Sequence, residues 1–313
     1  MNRCLYCYQP LGATEKDFHA ACSKKMFGQP IPPELPYSTS EMDKLATEVI
    51  KNHVTVTGVQ PKISLHLAAT DDKQAPKRFT IVGLWGGYIL KPPTAHYPQL
   101  PEVEDLTMHL AALARIKVVP HSLLRLRSGE LAYITKRIDR LKKKKLHMED
   151  MCQLTERLTE DKYHGSYEQI AKAIFKYSTH PGLDVVNFFE QVLFSFLTGN
   201  ADMHLKNFSL IDEPGNGPTL SPAYDMVATT LVNPADDEDM ALTINGKKKK
   251  IRRQDFVAAF TTLKLDPKQQ ENIFNKMEKT KNKWTTFINT SFLQDDFKTA
   301  YTALIRERFS RLA

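Results

Sequence analysis

The residues best suited to chemistry lie in one run, Gly199-Asn200-Ala201-Asp202-Met203-His204-Leu205-Lys206-Asn207, followed by Pro222-Ala223-Tyr224-Asp225. Asp202 and Asn207 stand five positions apart, and Asp225 follows Asn207 by 18. Phosphoryl transfer needs this set: one carboxylate receives or orients the attacking hydroxyl, while an amide and a second carboxylate hold Mg²⁺ against the triphosphate. An Asp-x4-Asn spacing is common by chance, so the surrounding order matters more than the spacing.

A triphosphate must also be gripped by a cation from elsewhere in the chain. Lys91 ends the apolar strand Tyr88-Ile89-Leu90-Lys91, where its stem would be packed and its ammonium aimed off the strand. Glu102 and Glu104 open the next helix and either can pair with it, Glu104 being preferred. In Thr55-Val56-Thr57-Gly58-Val59-Gln60-Pro61-Lys62, Gly58 permits close approach of backbone to phosphates, with the Thr57 hydroxyl and the Lys62 charge beside it. An exposed strand-end lysine and an ordinary hairpin are the plainer readings of these two segments.

The elements that must position these groups follow from periodicity. An apolar helix over 185–197 would deliver Asp202 to a loop, and a short strand over 208–211 would receive the chain after Asn207. Strands are expected at 54–57 and 62–67, paired around 58–61, and at 78–82 and 88–91, paired across Gly86-Gly87. A helix over 101–114 carries acidic residues in its first turn, and 121–126 with 130–136 resembles a hairpin turning at Ser128-Gly129. Ser40 is the expected N-cap of a helical stretch over 38–52. Further helices are expected at 148–158, 167–177, 184–198, 253–263, 267–279 and 292–311. Strands early and helices late imply an α+β chain with a strand-rich N-lobe (37–137) and a mostly helical C-lobe (138–313).

Residues 1–36 form a separate arm. Cys4-x2-Cys7 and His19-x2-Cys22 have the spacing of a tetrahedral zinc site, and Pro30-Ile31-Pro32-Pro33-Glu34-Leu35-Pro36 is a stiff linker. The alternative is a small apolar tuck with buried cysteines; four candidate ligands within 19 residues favour structural zinc. Cys152 reads as core.

Apolar residues make up 42% and charged residues 25% of the 313, ordinary for a globular protein. No apolar run reaches the roughly 20 residues of a membrane span, and the N-terminus lacks a signal-peptide pattern, so a cytoplasmic protein with no membrane role is expected. The formal charge of +7 is concentrated at 142–145 and 247–250 with Arg252 and Arg253. Such runs are usually solvated loops, and no DNA-reading motif accompanies them.

Six stretches together resemble the HipA family of bacterial Ser/Thr kinases, the toxins of HipA–HipB modules: Thr57-Gly-Val-Gln-Pro-Lys-Ile-Ser-Leu65, Ile89-Leu-Lys-Pro-Pro93, Lys136-Arg-Ile-Asp-Arg140, Met148-Glu-Asp-Met-Cys-Gln153, Gly199 to Ser209, and Pro222-Ala-Tyr-Asp225. The resemblance implies a kinase-like fold in which ATP and Mg²⁺ are used, with Asp202 catalytic, Asn207 and Asp225 as Mg²⁺ ligands and Lys91 on the phosphates. It implies that Lys136 and Ile138 line the adenine pocket with Gln153 and Tyr224 nearby, and that His204 and Lys206 position phosphates or the loop. It also implies a protein substrate in translation, typically an aminoacyl-tRNA synthetase, and a HipB-like helix-turn-helix antitoxin through which DNA would be contacted. The small N-terminal subdomain of full-length members is not recognisable here. That resembles the shorter HipT-like branch, where the missing piece is a separate HipS-like protein and the loop carries two hydroxyl residues. Thr55 and Thr57 match that pattern, which implies silencing by autophosphorylation at one of them. A second reading is a kinase-fold corepressor whose main role is to bind the antitoxin.

Overall fold

Half-buried strands of the first part of the chain assemble into one antiparallel sheet. In the computed structural model, which describes residues 2–42, 44, 61–68, 77–82, 85–141 and 144–313, these are β1 (Ile63–Ala68), β2 (Arg78–Ile81), β3 (Tyr88–Lys91), β4 (His121–Arg125) and β5 (Leu131–Lys136). Their order is β2-β1-β3-β5-β4, with every neighbour antiparallel. The sheet belongs to a unit made of Met1–Asp105, Val119–Ile138 and Thr290–Phe292. The expected strand at 54–57, together with Thr55, Thr57 and Gly58, lies outside the described residues.

Two expectations about this sheet are corrected. The strands at 78–81 and 88–91 do not pair with each other; both flank β1, with Leu65 opposite Ile81 on one side and Tyr88 on the other. Gly86 is therefore not a hairpin glycine. A Cβ there would lie 2.3 Å from Ser64 Oγ and 2.6 Å from Leu65 O, so it marks a close approach to β1. The hairpin at Gly129 forms as expected, with φ at 105°. The second correction concerns the cap of the 38–52 stretch. Glu41 Oε2 accepts both the Ser38 N–H and the Ser38 hydroxyl at 2.6 Å, so Ser38 rather than Ser40 begins the turn.

Both sheet edges are covered, which blunts their tendency to pair with another chain. The proline linker bridges β2 through Glu34, which exchanges backbone hydrogen bonds with Lys77 and Phe79. At the other edge Leu5 O accepts the Leu123 N–H and the Ser122 hydroxyl.

The second unit comprises Leu106–Val118, Asp139–Asn289 and Leu293–Ala313. Its axis is the helix Pro181–Leu197, whose apolar residues are buried nearly all round, as its unbroken apolar run requires. Phe188 meets Phe208 and Tyr167, Phe189 meets Phe260, and Phe194 meets Trp284 edge-on. Surrounding it are helices Tyr167–Tyr177, Arg253–Thr262, Pro267–Glu278, Lys281–Asn289 and Asp295–Ser310. The helix at 281–289 was not anticipated.

The expected helix at 148–158 is also corrected. Short strands β6 (Arg140–Leu141) and β7 (Lys144–Lys145) pair, and β8 (His147–Asp150) then joins β9 (Ser209–Glu213) and β10 (Gly217–Leu220) in a three-stranded sheet. Only Met151–Leu154 is helical, started by a capping box in which Asp150 and Gln153 satisfy each other's backbone N–H groups. Three lysines of the basic run at 247–250 have acidic partners: Lys247 pairs with Asp255, Lys248 with Glu238 and Lys249 with Asp237. Among the described residues no helix is long and apolar enough to cross a membrane.

Candidate functional site

The loop that leaves the buried helix is fixed by its glycine. Gly199 has φ 68°, and a Cβ on it would stand 2.6 Å from Leu304 Cδ2, so both backbone and space favour glycine. Gly199 O accepts the Thr230 N–H, the Thr229 hydroxyl accepts the Ala201 N–H, and Asn200 Oδ1 accepts the Asp202 N–H. Asn200 itself is fully buried. Asp202 thus begins on anchored backbone while its own side chain stays half-exposed.

Asn207 closes the loop from the other end: its Nδ2–H donates to Asp202 O at 2.8 Å. With its donor committed there, the Asn207 carbonyl oxygen remains as an acceptor, the atom type a hard cation takes. The Asp225 segment is tied to the same loop by Tyr224, whose hydroxyl donates to Lys206 O at 3.0 Å and lies 2.5 Å from Ser209 Oγ. Asp225 holds a left-handed φ of 54°, a local strain of a kind often found at functional positions.

His204 is nearly buried, edge-on to Tyr163. Burial pulls its imidazole down to about 4, against the opposing pull of Asp202, so it is neutral near pH 7. Lys206 donates to Asp150 Oδ2 at 2.7 Å, which places its charge on the cap of the 151–154 helix. Gln153 is exposed and occupied in that same cap. Tyr163 carried no signal in the sequence. Its hydroxyl donates to Asp202 Oδ1 at 2.6 Å, and burial followed by the Asp202 charge pushes that phenol up.

The first unit holds the other predicted residues. Lys91 Nζ lies 2.5 Å from Glu104 Oε1, with both side chains buried, and 5.4 Å from the centre of the Tyr133 ring. Of the two candidate carboxylates it is Glu104 that pairs. Glu102 is pushed up to about 7 by burial and then by the charge of Asp105. Lys136 is exposed at the end of β5 opposite Tyr88, Ile138 is half-buried, and Lys62 is exposed just before β1.

The N-terminal cysteines and histidine converge in the same unit. The ligand atoms of Cys4, Cys7, His19 and Cys22 all lie within 4.8 Å of one another. All four cysteines of the chain, Cys152 included, are free thiols.

Comparisons with known proteins agree on a family. The HipA-like C-terminal domain matches residues 54–284. A Haemophilus influenzae protein named "Putative kinase" is 30% identical over 251 residues, covering 74% of this chain and 69% of its own. From Sinorhizobium fredii, "Putative kinase Y4dM" is 35% identical over 188 residues and "Putative kinase Y4mE" 30% over 211. The chain spans only 45% and 48% of the lengths of these two. Among solved structures, HipA of Shewanella oneidensis MR-1, determined with HipB and operator DNA, aligns with a TM-score of 0.68 at 20% identity over 85% of this chain and 70% of that one. The Helicobacter pylori proinflammatory kinase CtkA aligns with a TM-score of 0.55 at 14% identity over 80% and 93%. At such identities the structures speak for the fold, which is α+β and of the HipA and CtkA kind. The length of the family match and the Haemophilus relative together establish that the chain belongs to the HipA-like C-terminal domain family.

Proposed function

We propose that the protein is an ATP- and Mg²⁺-dependent serine/threonine protein kinase, the toxin of a HipA-like toxin–antitoxin module. The observation that carries this reading is the closed Asp202–Asn207 loop, with Asp225 tied to it through Tyr224. Two carboxylates and an amide oxygen are hard oxygen donors, a donor set suited to Mg²⁺, with Asn207 and Asp225 as its holders. When bound, the ion would neutralise charge on the β- and γ-phosphates.

The chain's own residues account for the rest of the reaction. Asp202 accepts the proton of the substrate hydroxyl as that oxygen bonds to the γ-phosphorus and the bond to the ADP oxygen breaks. Tyr163 holds one oxygen of Asp202, leaving the other for the substrate. Lys91, oriented by Glu104, supplies positive charge to the phosphates. His204, neutral and buried, shapes the loop rather than adding charge. Lys206 holds the loop to Asp150.

The substrate class is a protein of translation such as an aminoacyl-tRNA synthetase, with self-silencing by phosphorylation of Thr55 or Thr57. The antitoxin partner is HipB-like, as in the Shewanella complex, and DNA is reached through it. Neutralisation of the lysines at 247–249 by acidic neighbours supports that indirect route.

Transfer of label from γ-labelled ATP onto the chain, after removal of any phosphate already present, tests the reading. Asp202→Asn should reduce transfer by about 10²–10⁴-fold, the usual contribution of a positioned general base. Absence of label with Mg²⁺ present, or equal labelling of Asp202→Asn, would show that the chain is not a kinase.

A further inference from the structure

We propose that the N-terminal arm is a Cys₃His zinc knuckle, and that the bound metal braces Asp105 in the helix Leu100–Leu113, which also carries Glu104. The ligand geometry is the first support. For Zn–S of about 2.3 Å and Zn–N of about 2.0–2.1 Å, a tetrahedral site separates S and N ligands by about 3.6 Å. Cys7 Sγ lies 3.4 Å and Cys22 Sγ 3.7 Å from His19 Nδ1. One imidazole lone pair can accept a hydrogen bond from only one of these thiols; a shared cation satisfies both.

The surroundings of the ligands are the second support. His19 Nε2 is 3.0 Å from Pro10 O, so Nε2–H donates to the carbonyl and Nδ1 is left bare towards the sulfurs. This outer hydrogen bond fixes the ligating tautomer, as metal-bound histidines commonly require. Tyr8, directly after Cys7, holds a left-handed φ of 63° while Tyr8 N–H returns to Cys4 O at 2.9 Å. A bulky residue in that conformation costs of order 1 kcal/mol and persists only where its surroundings fix it. On binding, Zn²⁺ displaces the three thiol protons to solvent and leaves a closed site of net charge −1 with no open position for catalysis.

The knuckle is wired into the sheet. Tyr8 hydroxyl donates to Asp105 Oδ2 at 2.7 Å, and His121 Nδ1 meets Asp105 Oδ1 at 2.7 Å. Leu5, between the first two cysteines, receives hydrogen bonds from Ser122 and Leu123. Asp105 adjoins Glu104 in sequence, so an arm closed by metal holds the turn that presents the partner of Lys91.

The test uses the full chain and no ATP, and its outcome is independent of the kinase reading. Protein purified without chelator should carry one zinc per chain by elemental analysis, and Co²⁺ exchanged for it should give the visible spectrum of a tetrahedral thiolate site. Cys7→Ser should lose the metal, and Cys152→Ser should keep it. Because Cys7→Ser can fail to fold, wild-type protein is also stripped by chelator and reloaded. Stripping should speed amide exchange at 100–106 and 121–126, and zinc should restore it. Absence of zinc together with failure to take up Co²⁺ overturns the metal site. Metal that leaves without changing exchange at those segments overturns the brace.

Discussion

Glu104→Leu alone and Lys91→Met alone should each destabilise the protein strongly, and the two together should repair most of that damage without restoring activity. The Lys91 and Glu104 side chains are 6% and 1% exposed and their charges stand 2.5 Å apart. Removing one charge takes from the other, in a low-dielectric interior, the ionic partner 2.5 Å away, a loss of about 3–5 kcal/mol for a buried pair. A domain stable by about 5–15 kcal/mol would be left marginal. Removing both charges is a different perturbation, because neither half of the pair then remains. Lys91→Met/Glu104→Leu keeps similar volume, and a methionine can hold the contact with the Tyr133 ring. The double variant should fall within about 1.5 kcal/mol of wild type, the usual cost of volume-conserving apolar swaps. Phosphoryl transfer should nevertheless remain down by about 10²–10³-fold in the double variant, as expected when one charge-stabilising group is removed. Urea unfolding of the four proteins gives the stability cycle, and label transfer from ATP gives the other readout. A double variant as unstable as the two single losses added together would refute the coupled-pair reasoning. A stable double variant that transfers phosphate at the wild-type rate would refute the role given to Lys91.

Tyr163→Phe removes the hydrogen bond to Asp202 Oδ1 and should lower turnover roughly tenfold, the equivalent of about 1.4 kcal/mol, with KM for ATP unchanged in steady-state assays. Gly199→Ala places a methyl against Leu304 in a left-handed backbone and should cost about 1–3 kcal/mol in denaturant unfolding. Two buried groups impose opposite pH dependences, readable by amide exchange in their own units. Glu102, raised to about 7, contributes stability that is full below pH ~4.5 and lost as pH rises through 7, on the order of 3 kcal/mol; Glu102→Gln should abolish that slope. His204, lowered to about 4, contributes stability that is full above pH ~6.5 and lost as pH falls through 4, of similar size; His204→Gln should flatten it.

What the sequence revealed and what it hid divide by range of contact. The 167–177 helix and the Gly129 hairpin are local, specified by a capping box and a positive-φ glycine, and they form as read. The 148–158 segment misleads because Met148, Met151, Cys152 and Leu154 have spacings that suit a helix. Its first residues instead pair with 209–212, some 60 positions away, a partner that periodicity cannot reveal. The Asp150/Gln153 box was the available clue that the helix begins only at Met151. Tyr163 and Asp150 were missed as neighbours of Asp202 and Lys206 for the same reason: 39 and 56 residues separate these partners, and only tertiary packing joins them. The pairing of Lys91 with Glu104 was legible because a strand end and the second turn of the next helix are close in sequence.

The electrostatics of the Asp202 loop bear on why, in the proposed reading, a divalent cation would suit it. The loop contains two basic residues, but neither offsets Asp202. His204 is kept neutral by burial, and the Lys206 ammonium is held by Asp150. The loop also follows the C-terminal end of the buried 181–197 helix, where the unsatisfied carbonyls carry partial negative charge. Asp202 is held by the neutral Tyr163 hydroxyl, which orients the carboxylate without compensating it. A polyphosphate brought to such a loop unaccompanied would meet like charge from Asp202, to be offset by cations outside the loop such as Lys162, whose ammonium lies 4.9 Å from the centre of the Tyr163 ring. Brought with Mg²⁺, it would arrive with its charge offset and find oxygen donors from an amide and a carboxylate. On the proposed reading, metal dependence would then follow from one arrangement: the cations native to the loop are neutralised elsewhere.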